Sequence, residues 1–414
     1  MTLALSLIGC SFSGTNSSSG GSTGSGDGDT TTSFQLVTTW SVDISAISPG
    51  QGNLVDAFAG EFVNDATDYP DLVLLTQSGA YLVQNKLSTS SNGWYAPSRI
   101  EGTETSYSAG MAYDFDLSSS NTLDLMLFRD SPAGFQIFKN SGAGVFSLES
   151  TQSRVVNAVS MAVAPYKTRS ASNNKLNILS ADESNSHQAF LVSSDAIQSG
   201  SLRNVGVSVL GGLKSLSADL NGDNFQDLLL VPSDGAQDIM IFKNIDDDVA
   251  NFTEVLNAFS RPNSSDIRDA VLADFNADGY ADLLLATASG LELHLNTTSN
   301  GSMEFTYSTA LNLGETAPTT AIQLLYANFT EDAFYDLLVL RSGSAAPILY
   351  AGTASLTFRN ITSTAFDVST LPLNAVKALS VDVDQDNVND IILLNEAGDI
   401  LVYFNTATDS SDVD

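Results

Sequence analysis

Short apolar runs separated by polar turns follow one another along most of the chain. In the clearest cases the run comes directly after an aspartate, as in residues 228–231 after Asp227 and residues 283–285 after Asp282. A run of about four apolar residues between turn residues is typical of a buried β-strand. No apolar pattern with the period of a helix extends beyond a turn or two. The chain from Phe34 onward is therefore predicted to be all-β.

The residue before each buried run recurs at a nearly constant interval. It occupies positions 71, 124, 177, 227, 282, 336 and 390, so the intervals are 53, 53, 50, 55, 54 and 54 residues. A repeat of this length indicates a propeller, a solenoid or another array. Each repeat contains further short apolar runs, and four strands in roughly 50 residues are typical of one propeller blade. We predict a seven-bladed β-propeller of four-stranded blades across residues 34–407.

The two ends of the repeat array complement each other. The last repeat has only three of its strands before the chain turns polar after Phe404, whereas an extra strand at residues 34–40 precedes the first repeat. The pattern of this extra strand matches the fourth strands of other repeats, such as residues 305–309. We therefore predict that the N-terminal strand completes the C-terminal blade, which removes an exposed sheet edge.

An acidic loop of nine residues precedes the buried run of the fifth repeat. Asp274, Asn276, Asp278 and Asp282 occupy loop positions one, three, five and nine, and Gly279 occupies position six. Oxygen ligands at alternate positions of a tight turn suit Ca²⁺, and glycine permits the positive φ that such a turn usually needs. The loop is not an EF-hand, because position twelve is a leucine instead of a bidentate glutamate and no helical pattern flanks it.

Other repeats contain the same loop, with varying completeness. Full sets occur in the fourth and seventh repeats: Asp219, Asn221, Asp223 and Asp227, and Asp382, Asp384, Asp386 and Asp390. Partial sets occur in the sixth, second and first repeats: Asn328, Thr330, Asp332 and Asp336; Asp114, Asp116 and Asp124; and Glu61, Asp65 and Asp71. The third repeat, before Asn177, has few acids and is predicted to hold no ion.

Two interpretations of these loops differ in chemistry. Aspartate and asparagine also favour tight turns by bonding to their own backbone, so one such loop could be a plain set of Asx turns. Three loops with the same four acceptors at the same spacing favour Ca²⁺, with three sites expected and up to two or three more. Clustered carboxylates repel one another without a cation, so the ions are expected to stabilise the disc rather than to catalyse a reaction.

Charge and composition narrow the range of partners. The chain has 16 Lys and Arg against 48 Asp and Glu, a net charge of −32, while 43% of its residues are hydrophobic and 15% are charged. Nucleic acids and anionic membrane surfaces are bound through basic patches, so neither is an expected partner. The acidic excess suits a soluble surface and cation sites.

The segments outside the predicted propeller indicate where the protein is displayed. Residues 1–10 end in Leu-Ile-Gly-Cys, which resembles the lipobox of bacterial lipoproteins and makes Cys10 the predicted lipidation site, although the basic segment that begins a signal peptide is missing. Residues 11–33 are rich in Ser, Gly and Thr and are predicted to form a flexible tether. Residues 408–414 form an acidic tail. The expected location is outside the cytoplasm, anchored by lipid to the cell envelope.

The loops, the apolar strand after each of them, and the endings Phe-Lys-Asn at 242–244 and Phe-Asn-Thr at 404–406 resemble FG-GAP/VCBS repeats. This family includes the propeller of integrin α-subunits and many bacterial surface proteins. The resemblance implies that each loop joins the first and second strands of a blade and binds Ca²⁺ on one face of the disc. It also implies a further ligand, the backbone carbonyl at loop position seven, which is Phe225, Tyr280 or Val388.

No motif in the sequence indicates catalysis. H-E-x-x-H, a Cys–His pair and a phosphate-binding glycine loop are all missing from the chain. His294 alternates with Leu293 and Leu295 on a predicted strand and is expected at a blade surface. We therefore expect that the protein is not an enzyme.

The hypothesis that follows is a lipid-anchored, calcium-binding propeller that binds another protein or a surface glycan, in adhesion or in the assembly of a surface complex. One alternative is a propeller enzyme or binding protein acting on polysaccharide, for which the 48 acidic residues leave many candidate carboxylate pairs. Another alternative is a scaffold subunit of an envelope machine.

Overall fold

The computed structural model describes most of the chain from Phe34 to Asn405. The described residues are 34–41, 54–64, 69–86, 94–103, 107–114, 122–129, 134–153, 158–167, 174–182, 188–193, 196–197, 203–204, 212–244, 252–256, 258–299, 302–332, 334–395 and 399–405. Cys10, the predicted tether at 11–33, the predicted tail at 408–414, Asp65 and Asp116 lie outside these residues.

Six four-stranded antiparallel sheets, named blades I to VI in chain order, make up most of the fold. Blade I contains β2 (Leu54–Gly60), β3 (Asp71–Thr76), β4 (Gly79–Val83) and β5 (Ser98–Arg99). Blade II contains β6 (Tyr107–Tyr113), β7 (Asp124–Arg129), β8 (Gly134–Asn140) and β9 (Phe146–Ser153). Blade III contains β15 (Gly212–Ala218), β16 (Asp227–Pro232), β17 (Met240–Asn244) and β18 (Phe252–Val255).

The second half of the chain continues the pattern. Blade IV contains β19 (Ile267–Ala273), β20 (Asp282–Thr287), β21 (Gly290–Asn296) and β22 (Phe305–Ser308). Blade V contains β23 (Ala321–Ala327), β24 (Asp336–Arg341), β25 (Ile348–Ala354) and β26 (Thr357–Asn360), followed by the short helix α1 (Thr362–Ala365). Blade VI contains β27 (Ala375–Val381), β28 (Asp390–Asn395), β29 (Asp399–Asn405) and the N-terminal strand β1 (Phe34–Ser41).

The third repeat departs from this pattern. It forms a five-stranded sheet of β10 (Ala158–Lys167), β11 (Asn174–Asp182), β12 (Gln188–Ser193), β13 (Ala196–Ile197) and β14 (Arg203–Asn204), in which β13 and β14 both pair with β12. The prediction of seven four-stranded blades is therefore wrong: six blades have four strands each.

The missing acidic loop explains part of this departure. In blade III the first strand ends at Ala218 and the second begins at Asp227, with the loop between them. In the third repeat the ladder between β10 and β11 continues to the pair Lys167–Asn174. Asn177, which the repeat interval aligns with the last loop position, therefore lies inside β11 instead of at the start of a strand.

The hydrophobic core lies between the faces of neighbouring blades. Separate apolar clusters fill the spaces between blades I and II, III and IV, IV and V, V and VI, and VI and I. The cluster between blades III and IV contains Leu229, Leu283 and Phe305. The first strands contact one another in sequence, with β10 of the five-stranded sheet between β6 of blade II and β15 of blade III, and β27 of blade VI contacts β2 of blade I. The six blades and the five-stranded sheet therefore form a closed ring.

Closure of the ring by the N-terminal strand is as predicted. Strand β1 pairs antiparallel with β29, with Phe34 opposite Asn405. The Phe34 ring stacks on Phe366 at 4.8 Å between centroids and meets Phe329 edge-on at 6.1 Å. Within the described part of the chain, no helix has the length and apolar character needed to span a bilayer.

Candidate functional site: the aspartate loops

The acidic loops join the first and second strands of blades III to VI. Their backbone follows one pattern, with left-handed conformations at loop positions four and six. The residues concerned are Gly222 and Asn224, Ala277 and Gly279, Glu331, and Gln385 and Asn387, with φ between 53° and 89°. Gly279 has the positive φ predicted for it, 89°. Because positions four and six curl the chain, the odd-numbered side chains face inward together.

The inward-facing side chains accept hydrogen bonds from the loop backbone. In blade IV the two carboxylate oxygens of Asp274 accept the N–H groups of Asp278 at 3.0 Å and Gly279 at 2.8 Å. Asn276 accepts a second bond from the N–H of Asp278, and Asp278 accepts one from the N–H of Tyr280. These are Asx-turn contacts, so both interpretations of the loop, turn and ion site, rest on the same conformation.

The equivalent residues of blades III and VI have the same arrangement. Asp219 accepts the N–H of Asn224 at 2.7 Å, and Asp382 accepts that of Asn387 at 2.9 Å. At position seven, the N–H groups of Phe225 and Val388 bond to the position-five aspartates of their own loops. The structure thus places the predicted loop residues together, while the role of the position-seven carbonyls as ligands stays a prediction.

The last loop residue is the first residue of the second strand and is deeply buried. The position-nine aspartates Asp71, Asp124, Asp227, Asp282, Asp336 and Asp390 are at most 3% exposed. One carboxylate oxygen of Asp282 accepts the N–H of Phe275 at loop position two, 3.0 Å away. The other accepts the N–H of Asn296 at the end of the third strand, 2.8 Å away. Each position-nine aspartate therefore ties the second strand to other parts of its blade.

Burial changes the protonation of these carboxyl groups. Removal from water raises the pKa of Asp227 and Asp282 to about 7, that of Asp336 to about 6 and that of Asp390 to about 8, although backbone N–H donors oppose the shift. Neighbouring loop carboxylates add to it, as Asp384 does for Asp390. A nearby cation would reverse this effect by favouring the ionised form.

Blade VI has the arrangement that best fits a metal ion. Carboxylate oxygens of Asp382, Asp384 and Asp390 all lie within 4.8 Å of one another. Oδ1 of Asp384 is buried and has no hydrogen-bond partner among the described residues. Burial raises the pKa of Asp384, and repulsion from Asp386 and Asp382 adds to the shift. Hard oxygen donors in this number and spacing suit Ca²⁺, so these residues fit such an ion.

The loops of blades V and III fit a metal ion less completely than the loop of blade VI does. In blade V, Oδ1 of Asn328 is buried with no partner among the described residues, but Asp336 is already bonded to three backbone N–H groups and the Thr330 hydroxyl. In blade III the ammonium of Lys243 lies 3.5 Å from Asp223 and competes with a metal ion for its charge.

Blades I and II share only the buried aspartate. Asp71 accepts the N–H groups of Val63 and Asn85, and Asp124 accepts that of Asn140. Asp114 directly follows the first strand of blade II, as predicted. No metal-binding carboxylate cluster was found among the described residues of these two blades.

Sequence reasoning missed a second recurring residue, an asparagine at the end of the third strand. These latch asparagines are Asn85, Asn140, Asn244, Asn296 and Asn405, and their N–H groups donate to the position-nine aspartates at 2.7–2.9 Å. They are at most 7% exposed. The signal was present in the Phe-Lys-Asn and Phe-Asn-Thr endings, which served only to identify a family resemblance.

The prediction that His294 lies at a blade surface is wrong. His294 is 0% exposed, and its ring contacts Phe259 and Tyr307. Its Nε2 lies 3.7 Å from Glu292, which in turn pairs with Arg261 at 3.2 Å. Neighbouring sheets bury both faces of a blade, so an alternating strand pattern does not identify a solvent-facing side.

Charged residues on the first strands are paired across neighbouring blades. Lys214 of blade III lies 2.6 Å from Asp269 of blade IV, which also accepts the N–H of Leu324 in blade V. Lys377 of blade VI lies 2.5 Å from Asp56 of blade I. These pairs connect the inner strands of the ring.

Sequence comparison identifies one family. Residues 219–285 match the sequence model of the FG-GAP-like repeat, a segment that runs from the loop of blade III to the second strand of blade IV. No curated protein matches the chain in sequence.

Several solved structures are similar to the chain at low identity. A Tc holotoxin pore from Photorhabdus luminescens is 14% identical with a TM-score of 0.46, and the alignment covers 91% of this chain and 15% of the toxin chain. A lectin from Agrocybe aegerita that recognises terminal N-acetylglucosamine is 14% identical with a TM-score of 0.43, covering 88% of this chain and 80% of the lectin. BBS1N in complex with ARL6DN is 8% identical with a TM-score of 0.41, and the alignment covers 87% of this chain and 81% of the BBS1N chain.

Proposed function

We propose, from the premise that the chain is an FG-GAP-repeat β-propeller protein, that it is a calcium-binding module which binds another protein or a surface glycan. The FG-GAP propeller fold suggests a binding or scaffold role. The observation that carries the calcium part of the proposal is the carboxylate cluster of blade VI, with its buried and unpartnered Asp384 oxygen.

Electrostatics support a cation at this cluster. Two ionised carboxylates less than 5 Å apart repel each other by about 3 kcal/mol at an effective dielectric constant of 20. Asp382, Asp384 and Asp390 are held within 4.8 Å by a loop whose backbone also bonds them, so they cannot move apart without breaking the turn. Calcium would be held by these three residues and would supply positive charge that ties the first strand to the second.

The exposed polar groups of the loops support the proposed binding role. The loops of blades III to VI present exposed polar groups at the same end of each blade, whereas Lys214 and Asp269, and Lys377 and Asp56, on the first strands are used in ion pairs. We therefore assign a non-enzymatic role. Lipidation at Cys10 and display outside the cytoplasm are part of the proposal and rest on the sequence of residues 1–33.

Thermal unfolding of the full chain in Ca²⁺ and in chelator tests the calcium sites. A ligand that binds only the native state stabilises it by about 2.7 kcal/mol when present at 100 times its Kd. Calcium should therefore raise the melting temperature, and Asp384→Ala should lose part of this rise. Asp238→Ala, an exposed aspartate in the turn before the third strand of blade III, is the matched control and should retain all of it.

The same experiment can refute the proposal. If calcium leaves the melting temperature of the wild-type chain unchanged, the loops are Asx turns and the calcium-binding function is wrong. An equal loss in Asp384→Ala and Asp238→Ala would show that the ion acts through general charge screening instead of through a site.

A further inference from the structure

Four of the latch asparagines connect a loop to the blade that follows it. The side-chain Nδ2 of Asn296 in blade IV donates to the carbonyl of Leu220 in the loop of blade III, at 2.8 Å. The same bond recurs around the ring, from Asn85 to Val383 at 3.0 Å, from Asn140 to Phe62 at 2.8 Å and from Asn405 to Phe329 at 2.7 Å. Leu220, Phe329 and Val383 all occupy loop position two.

Loop position two is the point at which this contact can influence an ion site. The N–H of Leu220 donates to Oδ2 of Asp227 at 3.0 Å, while its carbonyl accepts from Asn296. The orientation of the position-nine carboxylate in blade III therefore depends on a side chain of blade IV. In blade VI the N–H of Val383 bonds to Asp390 in the same way.

A second contact joins the loops of blades III and IV. A Cβ built on Gly222 would lie 3.2 Å from Cε1 of Tyr280, so the Tyr280 ring lies against the blade III loop. Tyr280 is position seven of the blade IV loop. The two loops are thus linked both by a hydrogen bond and by packing.

Blade V lacks the side-chain latch for a steric reason. The third-strand residue that donates its N–H to Asp336 is Gly352, which has no side chain to reach the blade IV loop. A Cβ at Gly352 would lie 2.4 Å from the carbonyl oxygen of Tyr335 and 3.0 Å from Cβ of Phe334, so a larger residue does not fit. The series of side-chain latches is therefore interrupted between blades IV and V.

We propose that Asn85, Asn296 and Asn405 are positioning residues for the ion loops of blades VI, III and V, so that neighbouring blades set each other's calcium affinity. The proposal rests on calcium binding as proposed above. It has a directional consequence. Replacing Asn296 removes its Nδ2 donor from Leu220 in the blade III loop, at 2.8 Å, and from Ala281 in its own loop, at a longer 3.2 Å. It keeps the backbone N–H that bonds to Asp282 in its own blade. The loop of the other blade should be affected more than its own.

Hydrogen exchange of individual peptides, measured during a calcium titration of the full chain, separates the two loops. In Asn296→Ala, the calcium concentration that half-protects residues 219–227 should rise about two- to tenfold, the effect of one net hydrogen bond. The concentration for residues 274–282 should rise less, because this loop loses only the longer bond to Ala281 and keeps the backbone N–H of Asn296. Asn85→Ala is the reciprocal control: it should raise the concentration for residues 382–390 and leave that for 219–227 unchanged.

The outcomes distinguish failure of the inference from failure of the proposed function. If calcium protects neither loop of the wild-type chain, the proposed function is wrong and the inference falls with it. If the wild-type loops are protected but Asn296→Ala shifts residues 274–282 as much as or more than residues 219–227, or shifts neither, the inference alone is wrong.

A second variant serves if Asn296→Ala does not fold. Asp278 is exposed, so Asp278→Ala should keep the fold while disabling the blade IV loop. Because coupling is reciprocal, calcium bound at residues 219–227 should then still slow exchange in residues 290–298. Unchanged exchange there, with residues 219–227 protected, would overturn the inference.

Discussion

At the scale of single residues, the position-nine aspartates have two functions. Asp282 accepts backbone N–H groups from Phe275 and Asn296, as a structural bridge, and it also belongs to the acceptor set of its loop. Burial raises the pKa of Asp282 to about 7 and that of Asp390 to about 8, so these groups take up protons near neutral pH when no cation is present. Protonation and the proposed calcium binding would therefore compete for the same oxygens.

This competition predicts the pH dependence of stability. The pKa of Asp227, Asp282, Asp336 and Asp390 is higher in the native state than the ordinary value of 3.8, so the native state binds more protons between about pH 4 and 8. In chelator, the raised pKa values of these four aspartates contribute a stabilisation that is complete below pH 4. This stabilisation is lost as pH rises through 6 to 8. In calcium the ionised forms are held by the ion, so the stabilisation by calcium should grow over the same range.

Denaturant unfolding at intervals between pH 5 and pH 8, in chelator and in calcium, measures this dependence. Asp390→Asn cannot ionise and should show a shallower loss of stability in chelator than the wild-type chain. Ion-free stability that rises from pH 5 to pH 8 would contradict the assignment of these pKa shifts.

At the scale of the strands, the third strand of blade IV carries a buried charged group into a blade interface. The side chains of Arg261 and Glu292 are 8% and 5% exposed and lie 3.2 Å apart. Arg261 also donates to the carbonyls of Gly235 in blade III and Ser265 before blade IV. Burial alone would raise the pKa of Glu292, but His294 and Arg261 more than offset it, and the net shift is downward. Arg261 therefore connects two blades and holds Glu292 ionised.

Removing the cation of this pair should be costly. Arg261→Met leaves Glu292 buried without its guanidinium partner, and breaking a buried pair in this way costs about 3–5 kcal/mol. Denaturant unfolding measures the change. Arg268→Met is the control, because the Arg268 guanidinium bonds to the carbonyl of Thr319 at the surface and its loss should cost about 0.5 kcal/mol or less. Equal effects of the two substitutions would show that burial does not set the strength of the Arg261 pair.

At the scale of the whole molecule, stability depends on closing the ring with residues that are far apart in sequence. Strand β1 supplies the edge of blade VI, and its first residue, Phe34, is 4% exposed. Phe34 packs on Phe366 and Phe329, which lie between blades V and VI. The N-terminal strand thus stabilises both the blade that it completes and the interface with the preceding blade.

Phe34→Ala tests the contribution of this closure. Truncating a buried phenylalanine costs about 3–5 kcal/mol through lost transfer free energy and the remaining cavity. Thermal and denaturant unfolding should show this loss, accompanied by aggregation as the edge of β29 becomes available to other chains. Val368→Ala is the control, since Val368 is 54% exposed and its truncation should change little. A loss below 1 kcal/mol for Phe34→Ala would mean that β1 is dispensable for closure.

Local patterns in the sequence determined the strands and the loops. The apolar runs, the nine-residue spacing of the acceptors and Gly279 are short-range signals, because strand alternation and turn chemistry depend on neighbouring residues. They predicted the second strands of the blades, the loop residues that the structure brings together and the strand that closes the ring. The calcium, lipid-anchor and binding-partner predictions stay predictions.

Only the tertiary structure decided the rest. Asn296 and Leu220 are 76 positions apart, so nothing local to either residue indicates their hydrogen bond. The burial of His294 depends on the sheet that packs over its strand, and the five strands of the third repeat depend on a ladder that continues where other repeats form a loop. These features are set by contacts between elements, which a one-dimensional pattern does not contain.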